Sequence, residues 1–330
     1  MEMYFLMCSE RSGSNFITKL LNGHSLVCGP STKHIINPVA RNLFRYGDLS
    51  KEENWNELLT DMHRMINVKF SVWKKEFGLD ELKSLAPAGE IGLLIKNIFL
   101  AEAKANGKRH VFVKENHVYE FILFLLLNYP KAKYVYQVRD PRDMALSWKK
   151  SSDHPGGVVN AARQWQKDQQ NSLKNYSELA KRGQAYFVKY EDLISDPQKY
   201  LADLLNFLGL PEDKNIENFH KDELTVKNAG MQKTWNNLSQ GIISDNKDKY
   251  QKELTESEIM AIEKICFFEM YCLGYKTNYK KNVLDNLSNE DVEKLSVYEF
   301  ENIICNRSEG VKENMKAKEI FYKKTHKIIL

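Results

Sequence analysis

The stretch Tyr4-Phe5-Leu6-Met7-Cys8-Ser9-Glu10-Arg11-Ser12-Gly13-Ser14-Asn15-Phe16 decides the fold. It opens on an apolar run of strand length. Small and polar residues follow, and then Ile17, Leu20 and Leu21 recur at helical spacing. A buried strand, a tight loop and a helix is the reading this order predicts. The small residues let the backbone wrap closely. The helix start adds free N–H groups and the positive end of its dipole. Arg11 supplies a forked cation to the same loop. Residues Arg11, Ser12, Gly13, Ser14 and Asn15 are therefore candidates for an anion cradle, with Phe16 beside them. The pattern GxxxxGK[ST] is absent, so this is not a standard nucleoside-triphosphate loop.

Three more runs share the length and the β-branched or aromatic content of buried strands: His110–Lys114, Lys133–Val138 and Ala185–Lys189. Each precedes turn residues and a helical pattern. Strands alternating with helices predict an α/β fold built on a parallel sheet with flanking helices. Ligands in such sheets sit beyond the carboxyl ends of the strands. The loops after these four strands are therefore the places to look. Helical patterns fill two insertions, about 37–106 and about 157–181. A charged helical segment, 281–330, reads as a C-terminal extension to a domain spanning 1–280.

The loop after the third run reads Arg139-Asp140-Pro141-Arg142-Asp143-Met144-Ala145-Leu146-Ser147. Asp140 suits an N-cap, Pro141 the first helical position, and Asp143 the acid-favouring first turn. Arg139 at the strand tip and Ser147 two turns into the helix can converge on one phosphate. An ion pair between Arg139 and Asp143 is the alternative. The fourth run leads into Tyr190-Glu191-Asp192-Leu193, and Asp196-Pro197 opens the next helix. The Leu201, Leu204, Leu205, Leu208 stripe is core.

In this order, at these strand ends, the segments resemble the sulfotransferase superfamily, whose members use 3′-phosphoadenosine-5′-phosphosulfate (PAPS). Arg11 to Phe16 resembles its 5′-phosphosulfate loop, and Arg139 to Ser147 its 3′-phosphate motif. Lys189 to Leu193 with Asp196-Pro197 resembles a downstream YEDL…DP segment. Asp248-Lys249-Tyr250-Gln251-Lys252-Glu253-Leu254 is similar to a late basic segment, with Asp248 for the usual Gly and Tyr250 for the usual Trp. The resemblance implies a P-loop nucleotide-kinase-like fold. It implies a donor held by Arg11 and the Ser12–Asn15 backbone at the 5′ end. It implies further that Arg139 and Ser147 hold the 3′-phosphate, that Phe16 and Tyr190 lie near adenine, and that Lys249 lies at the late segment. The implied reaction moves a sulfuryl group to a hydroxyl or amine.

Such transfer needs cations where charge develops, here Arg11 and Lys114, and a base for the acceptor proton. Histidine is suited to that role at neutral pH. Relatives carry a Lys-Thr-His after the second strand; here Lys114-Glu115-Asn116-His117 has one residue more. His34, after the first helix, is the second candidate, and a carboxylate such as Glu115 a third. No metal-ligand cluster stands out, and the implied chemistry needs none. The other two function classes are a divergent phosphoryl-transfer enzyme and a non-catalytic nucleotide-binding protein of the same fold.

The chain has 330 residues, 42% hydrophobic and 28% charged, enough for a large core and unlike a disordered chain. Its net charge of +4 lacks the basic excess of a nucleic-acid binder. No apolar run reaches bilayer-spanning length. The five cysteines (Cys8, Cys28, Cys266, Cys272 and Cys305) are odd in number and widely spaced. They read as reduced thiols in a cytoplasmic protein. The acceptor is expected to be a small molecule, lipid or glycan, and Trp55, Phe70, Trp73 and Phe77 in the first insertion read as core or as its pocket.

Overall fold

The computed structural model describes residues 1–151, 153–231, 233–296 and 309–324. Five parallel strands form one sheet: β1 (Met3–Cys8), β2 (Val27–Cys28), β3 (His110–Lys114), β4 (Lys133–Val138) and β5 (Ala185–Lys189). Their spatial order is β2-β3-β1-β4-β5. In register, Phe5 lies between Val113 and Tyr134. All six residues of β1 are buried, as a central parallel strand covered on both faces requires. Its side chains alternate. Met3, Phe5 and Met7 enter one core with Ile95, Ile98, Trp165 and Ile262. Tyr4, Leu6 and Cys8 enter the other, with Ile17, Leu20, Leu201 and Leu204.

The helices follow the strands. α1 (Ser14–Gly23) leaves β1, and the first insertion folds as α2 (Ile36–Asn42), α3 (Glu52–Ile66), α4 (Leu79–Ser84) and α5 (Ile91–Ala105). After β3 come α6 (Ile122–Asn128), then β4, α7 (Pro141–Lys149) and α8 (Gly157–Lys181), the second insertion. β5 leads to α9 (Tyr190–Ser195) and α10 (Pro197–Leu208). The four strands and both insertions expected from sequence are present. β2 is an addition: two residues held to β3 through Val27↔His110 and Cys28↔Val111, too short to leave a period. Trp55, Trp73 and Phe77 are buried core; Phe70 is not.

Two local features fix where the loops after β4 and β5 end. Asp140 caps α7 through Arg142 N at 2.9 Å, with Pro141 at the first helical position. The Arg142 guanidinium is buried between Asp140 (2.6 Å) and Glu263 (2.7 Å). Glu191 accepts from Asp140 N at 2.8 Å and from the Tyr275 hydroxyl at 2.9 Å, tying the two loops together. Cys8, Cys28, Cys266 and Cys272 are free thiols; Cys305 lies outside the described residues. Among the described residues no helix is long and apolar enough to cross a membrane.

Candidate functional site

A cleft of about 690 Å³ opens beyond the carboxyl ends of β1, β3, β4 and β5. That volume suits a nucleotide and a small second substrate. Four loops build its floor. In the loop after β1, Arg11 (φ 59°) and Gly13 (φ 83°) are left-handed. Such alternation turns successive N–H groups to one side and makes an anion nest. The Ser12 hydroxyl donates to the Ser9 carbonyl at 2.6 Å and holds the turn. α1 starts at Ser14, so the first-turn amides of Ser14, Asn15 and Phe16 have no carbonyl one turn back.

Gly13 admits no side chain. A Cβ there would stand 2.4 Å from the Tyr190 ring and 3.2 Å from Gln137 Nε2. Gly13→Ala combines that clash with a left-handed backbone. We expect a loss of about 1–3 kcal/mol in chemical denaturation, as strained positions cost. A variant as stable as the wild type would contradict this packing.

Arg11 and Arg139 stand side by side. Arg11 Nε and Nη2 donate to the Ser147 hydroxyl at 3.2 and 3.0 Å. Arg139 Nη1 donates to the Arg11 carbonyl at 3.3 Å, and Nη2 to the Asn246 carbonyl at 3.1 Å. Its guanidinium lies 4.6 Å from the Tyr190 ring centroid. Asp143 makes no direct ion pair with Arg139, although the two charges act on each other. Its carboxylate accepts from Asp248 N (2.6 Å) and Tyr250 N (3.0 Å) instead. The ion pair that the sequence allowed between Arg139 and Asp143 is therefore not the arrangement found. Burial, and then the neighbouring Arg139 charge, push the Arg11 pKa down. Arg139 Nε is buried without a hydrogen-bond partner. Two adjacent guanidiniums, one with an orphaned N–H, beside a nest of amides are what an anionic ligand with two separate charged groups requires. Lys150 and Lys249 also line the cleft. Phe16 packs edge-on against Tyr190, ring centroids 5.9 Å apart.

The opposite end of the cleft carries the proton-handling groups. His34 lines it, with φ 55°. Its Nδ1 stands 3.4 Å from Glu115 Oε2, an oxygen with no hydrogen-bond partner. Glu115 is 2% exposed, and its other oxygen accepts from Ile36 N at 3.0 Å. Burial, and then the Lys318, Lys114 and His117 charges, hold the His34 pKa well below the usual histidine range, so the ring is neutral at neutral pH. His154 also lines the cleft, but both its nitrogens are engaged, Nε2 with Glu10 at 2.7 Å and Nδ1 with the Ser151 hydroxyl at 2.8 Å. Glu10, facing His154, is held down to about 2 despite its burial.

His117 is not among the residues lining the cleft. It starts a short turn after β3 at φ 53°, with Nε2 3.4 Å from Gln164 Nε2 and 4.0 Å from Asp168. Lys114 does line it. So the cleft gathers Arg11, Gly13, Ser14, Asn15, Phe16, His34, Lys114, Arg139, Ser147, Tyr190 and Lys249, while Ser12 is buried beneath the loop. No sequence signal singles out Trp235, Leu238, Ile243 and Asn246, which also line the cleft. They lie in a segment with neither period nor motif. Among the described residues no group of His, Cys, Asp and Glu is arranged to hold a metal ion.

Fold and site together define an α/β protein of the P-loop nucleotide-kinase-like class, with an anion cradle after β1 and a second cationic point after β4. The chain belongs to the Sulfotransferase family, whose sequence pattern it matches over residues 4–214. Among solved structures it is similar to a sulfotransferase domain from the curacin biosynthetic pathway, at 20% identity and a TM-score of 0.55, over 84% of this chain and 99% of that one. It is similar also to a sulfotransferase domain of the Synechococcus PCC 7002 olefin synthase, at 17% identity and a TM-score of 0.55, over 83% and 94% of the two chains. A curated relative from Aquifex aeolicus (strain VF5), described as an uncharacterized protein, is 23% identical over 267 residues. The match takes in 76% of this chain but 31% of that protein, so the chain spans about a third of its length.

Proposed function

We propose that this protein transfers a sulfuryl group from PAPS to a hydroxyl, with His34 as the general base. The observation that carries the reading is the pairing of Arg11 and Arg139 beside the left-handed loop. One cradle suits the 5′ end of the donor. The second, Arg139 with Ser147, suits a ribose 3′-phosphate. The donor supplies the activated sulfuryl group; the chain's residues hold it and handle the proton.

In this reading the amides of Gly13 to Phe16 and the Arg11 guanidinium hold the 5′ end. They are fixed before the reaction and stabilise the charge that grows on the leaving phosphate oxygen. Lys114 adds a cation from the β3 side. Phe16 and Tyr190 offer the aromatic surface for the adenine. The acceptor hydroxyl attacks sulfur as the bond from sulfur to the 5′-phosphate oxygen breaks, and His34 Nε2 takes the proton. Glu115 supports that step from Nδ1. A carboxylate on that side fixes the tautomer that leaves Nε2 unprotonated, and steadies the imidazolium that forms. His154, committed to Glu10 and Ser151, has no free nitrogen to offer. The products are 3′,5′-adenosine bisphosphate, a sulfate ester and a proton on His34.

Thermal unfolding tests the donor site directly. A ligand that binds only the native state raises stability by about 2.7 kcal/mol at a hundredfold excess over Kd. 3′,5′-Adenosine bisphosphate should raise Tm clearly, and ATP with magnesium much less. Equal shifts, or a larger one with ATP and magnesium, would favour a phosphoryl-transfer enzyme instead. The loop after β1 argues against that outcome, since it lacks the lysine of the triphosphate-binding pattern.

A further inference from the structure

The helix Glu309–Lys323 lies outside the segment matched to the family. The chemistry above does not use it, yet it is fastened beside the proposed base. Asn314, 2% exposed, donates from Nδ2 to the Lys33 carbonyl at 3.3 Å, one peptide before His34. Gly310 packs against backbone; a Cβ there would stand 2.8 Å from the Lys69 carbonyl oxygen. Farther along, Phe321 is fully buried near Tyr46, and the Tyr322 hydroxyl donates to Asn37 at 3.1 Å. Lys324, just beyond, pairs with Glu57 at 2.6 Å and with Asp61. These ties hold the helix on α2 and α3.

Val311, Met315 and Lys318 share one helical stripe, at i, i+4 and i+7. The first two line the cleft. With Phe70, Trp235 and Leu238 they make its apolar end, and the Phe70 ring lies 5.8 Å from that of His34. Burial lowers the Lys318 pKa to about 8; the nearby Glu115 and Glu10 charges oppose that shift and Lys114 adds to it. On the reading of the cleft given above, we propose that this helix is a working wall of the acceptor site. Lys318 and Asn314 position the Glu115–His34 pair, and Val311 and Met315 face an acceptor whose hydroxyl is carried on an apolar body.

Burial raises the Glu115 pKa above the usual carboxylate range; the Ile36 N–H, and then the cations Lys318 and Lys114, oppose that rise. Lys318 therefore keeps Glu115 ionised to lower pH, and only the ionised form presents a charged Oε2 to His34 Nδ1, 3.4 Å away. The remaining titratable groups acting on this set are Glu10, His117 and Tyr322. Lys114 and His117 stay in place when Lys318 is changed, so the sign follows from Lys318 alone. Without it Glu115 binds its proton to higher pH.

The test uses the full chain with PAPS and 2-naphthol. Lys318→Met should move the acid limb of kcat/KM to higher pH, and Lys318→Arg should return it. Asn314→Ala should lower kcat about ten- to hundredfold, the cost of a misplaced reacting group. Met315→Glu should raise the KM for 2-naphthol about tenfold or more through lost apolar contact. Infrared difference spectra of wild type against Glu115→Gln follow the protonated carboxyl without any acceptor. Its band should persist to higher pH in Lys318→Met. An unmoved band and an unmoved acid limb overturn the positioning role. Turnover of glucose in preference to 2-naphthol overturns the apolar acceptor. Stabilisation by 3′,5′-adenosine bisphosphate should persist in all of these variants; its absence in the wild type would fault the donor reading rather than this one.

Discussion

His34→Ala is expected to lower sulfuryl transfer by about 10²–10⁴-fold, the usual contribution of a positioned general base. Stabilisation by 3′,5′-adenosine bisphosphate should be unchanged. The split follows from geometry. His34 lies at the end of the cleft lined by Phe70, Trp235 and Met315, and the paired arginines bond to Ser147 and Asn246 instead. Its ring makes no hydrogen bond that would tie up Nε2 among the described residues, whereas His154 is bonded through both nitrogens. His34→Gln keeps a polar group without a usable base and should be nearly as slow. Single-turnover measurements with saturating donor decide the matter. If the loss follows His117→Ala and spares His34→Ala, the proton leaves by the other histidine.

Arg139→Met should weaken 3′,5′-adenosine bisphosphate by roughly ten- to hundredfold, since a hydrogen bond to a charged group is worth about 1.5–3 kcal/mol. Arg139 Nε is buried and unpartnered in the free protein. Its two hydrogen bonds are to neutral carbonyls, not to a carboxylate. A guanidinium so placed has no carboxylate bonded to it that a ligand would have to displace. Arg139→Lys should recover only part of the affinity, because an ammonium lacks the planar fork. Calorimetric titration measures both. Affinity within twofold of wild type in Arg139→Met would place the 3′-phosphate elsewhere.

Much of this arrangement was legible before any coordinates. The strands at His110, Lys133 and Ala185 begin and end where the apolar runs do; β3 and β4 are largely buried, as parallel strands covered on both faces are, while β5 is a half-buried edge strand. Asp140-Pro141 and Asp196-Pro197 marked two helix starts through capping chemistry alone. β2 was invisible because two residues carry no period.

Where the two candidate histidines lie relative to the cleft is set by three-dimensional contacts. His34 and His117 both follow strands and both have positive φ. Only the fold turns one toward the cleft and the other toward Asp168 and Gln164. Phe70 could not be told from Trp55, Trp73 and Phe77 by composition, yet it alone of the four lines the cleft. The meeting of Lys33 with Asn314 spans most of the chain, a separation at which sequence spacing carries no information.

A crystal structure of the complex with 3′,5′-adenosine bisphosphate would show whether one cleft holds an adenine nucleotide at two charged points. The 5′-phosphate should lie on the Gly13–Phe16 amides and Arg11, and the 3′-phosphate within hydrogen-bond distance of Arg139 and Ser147. A nucleotide bound with its 3′-phosphate away from both residues, or bound outside this cleft, would contradict that placement.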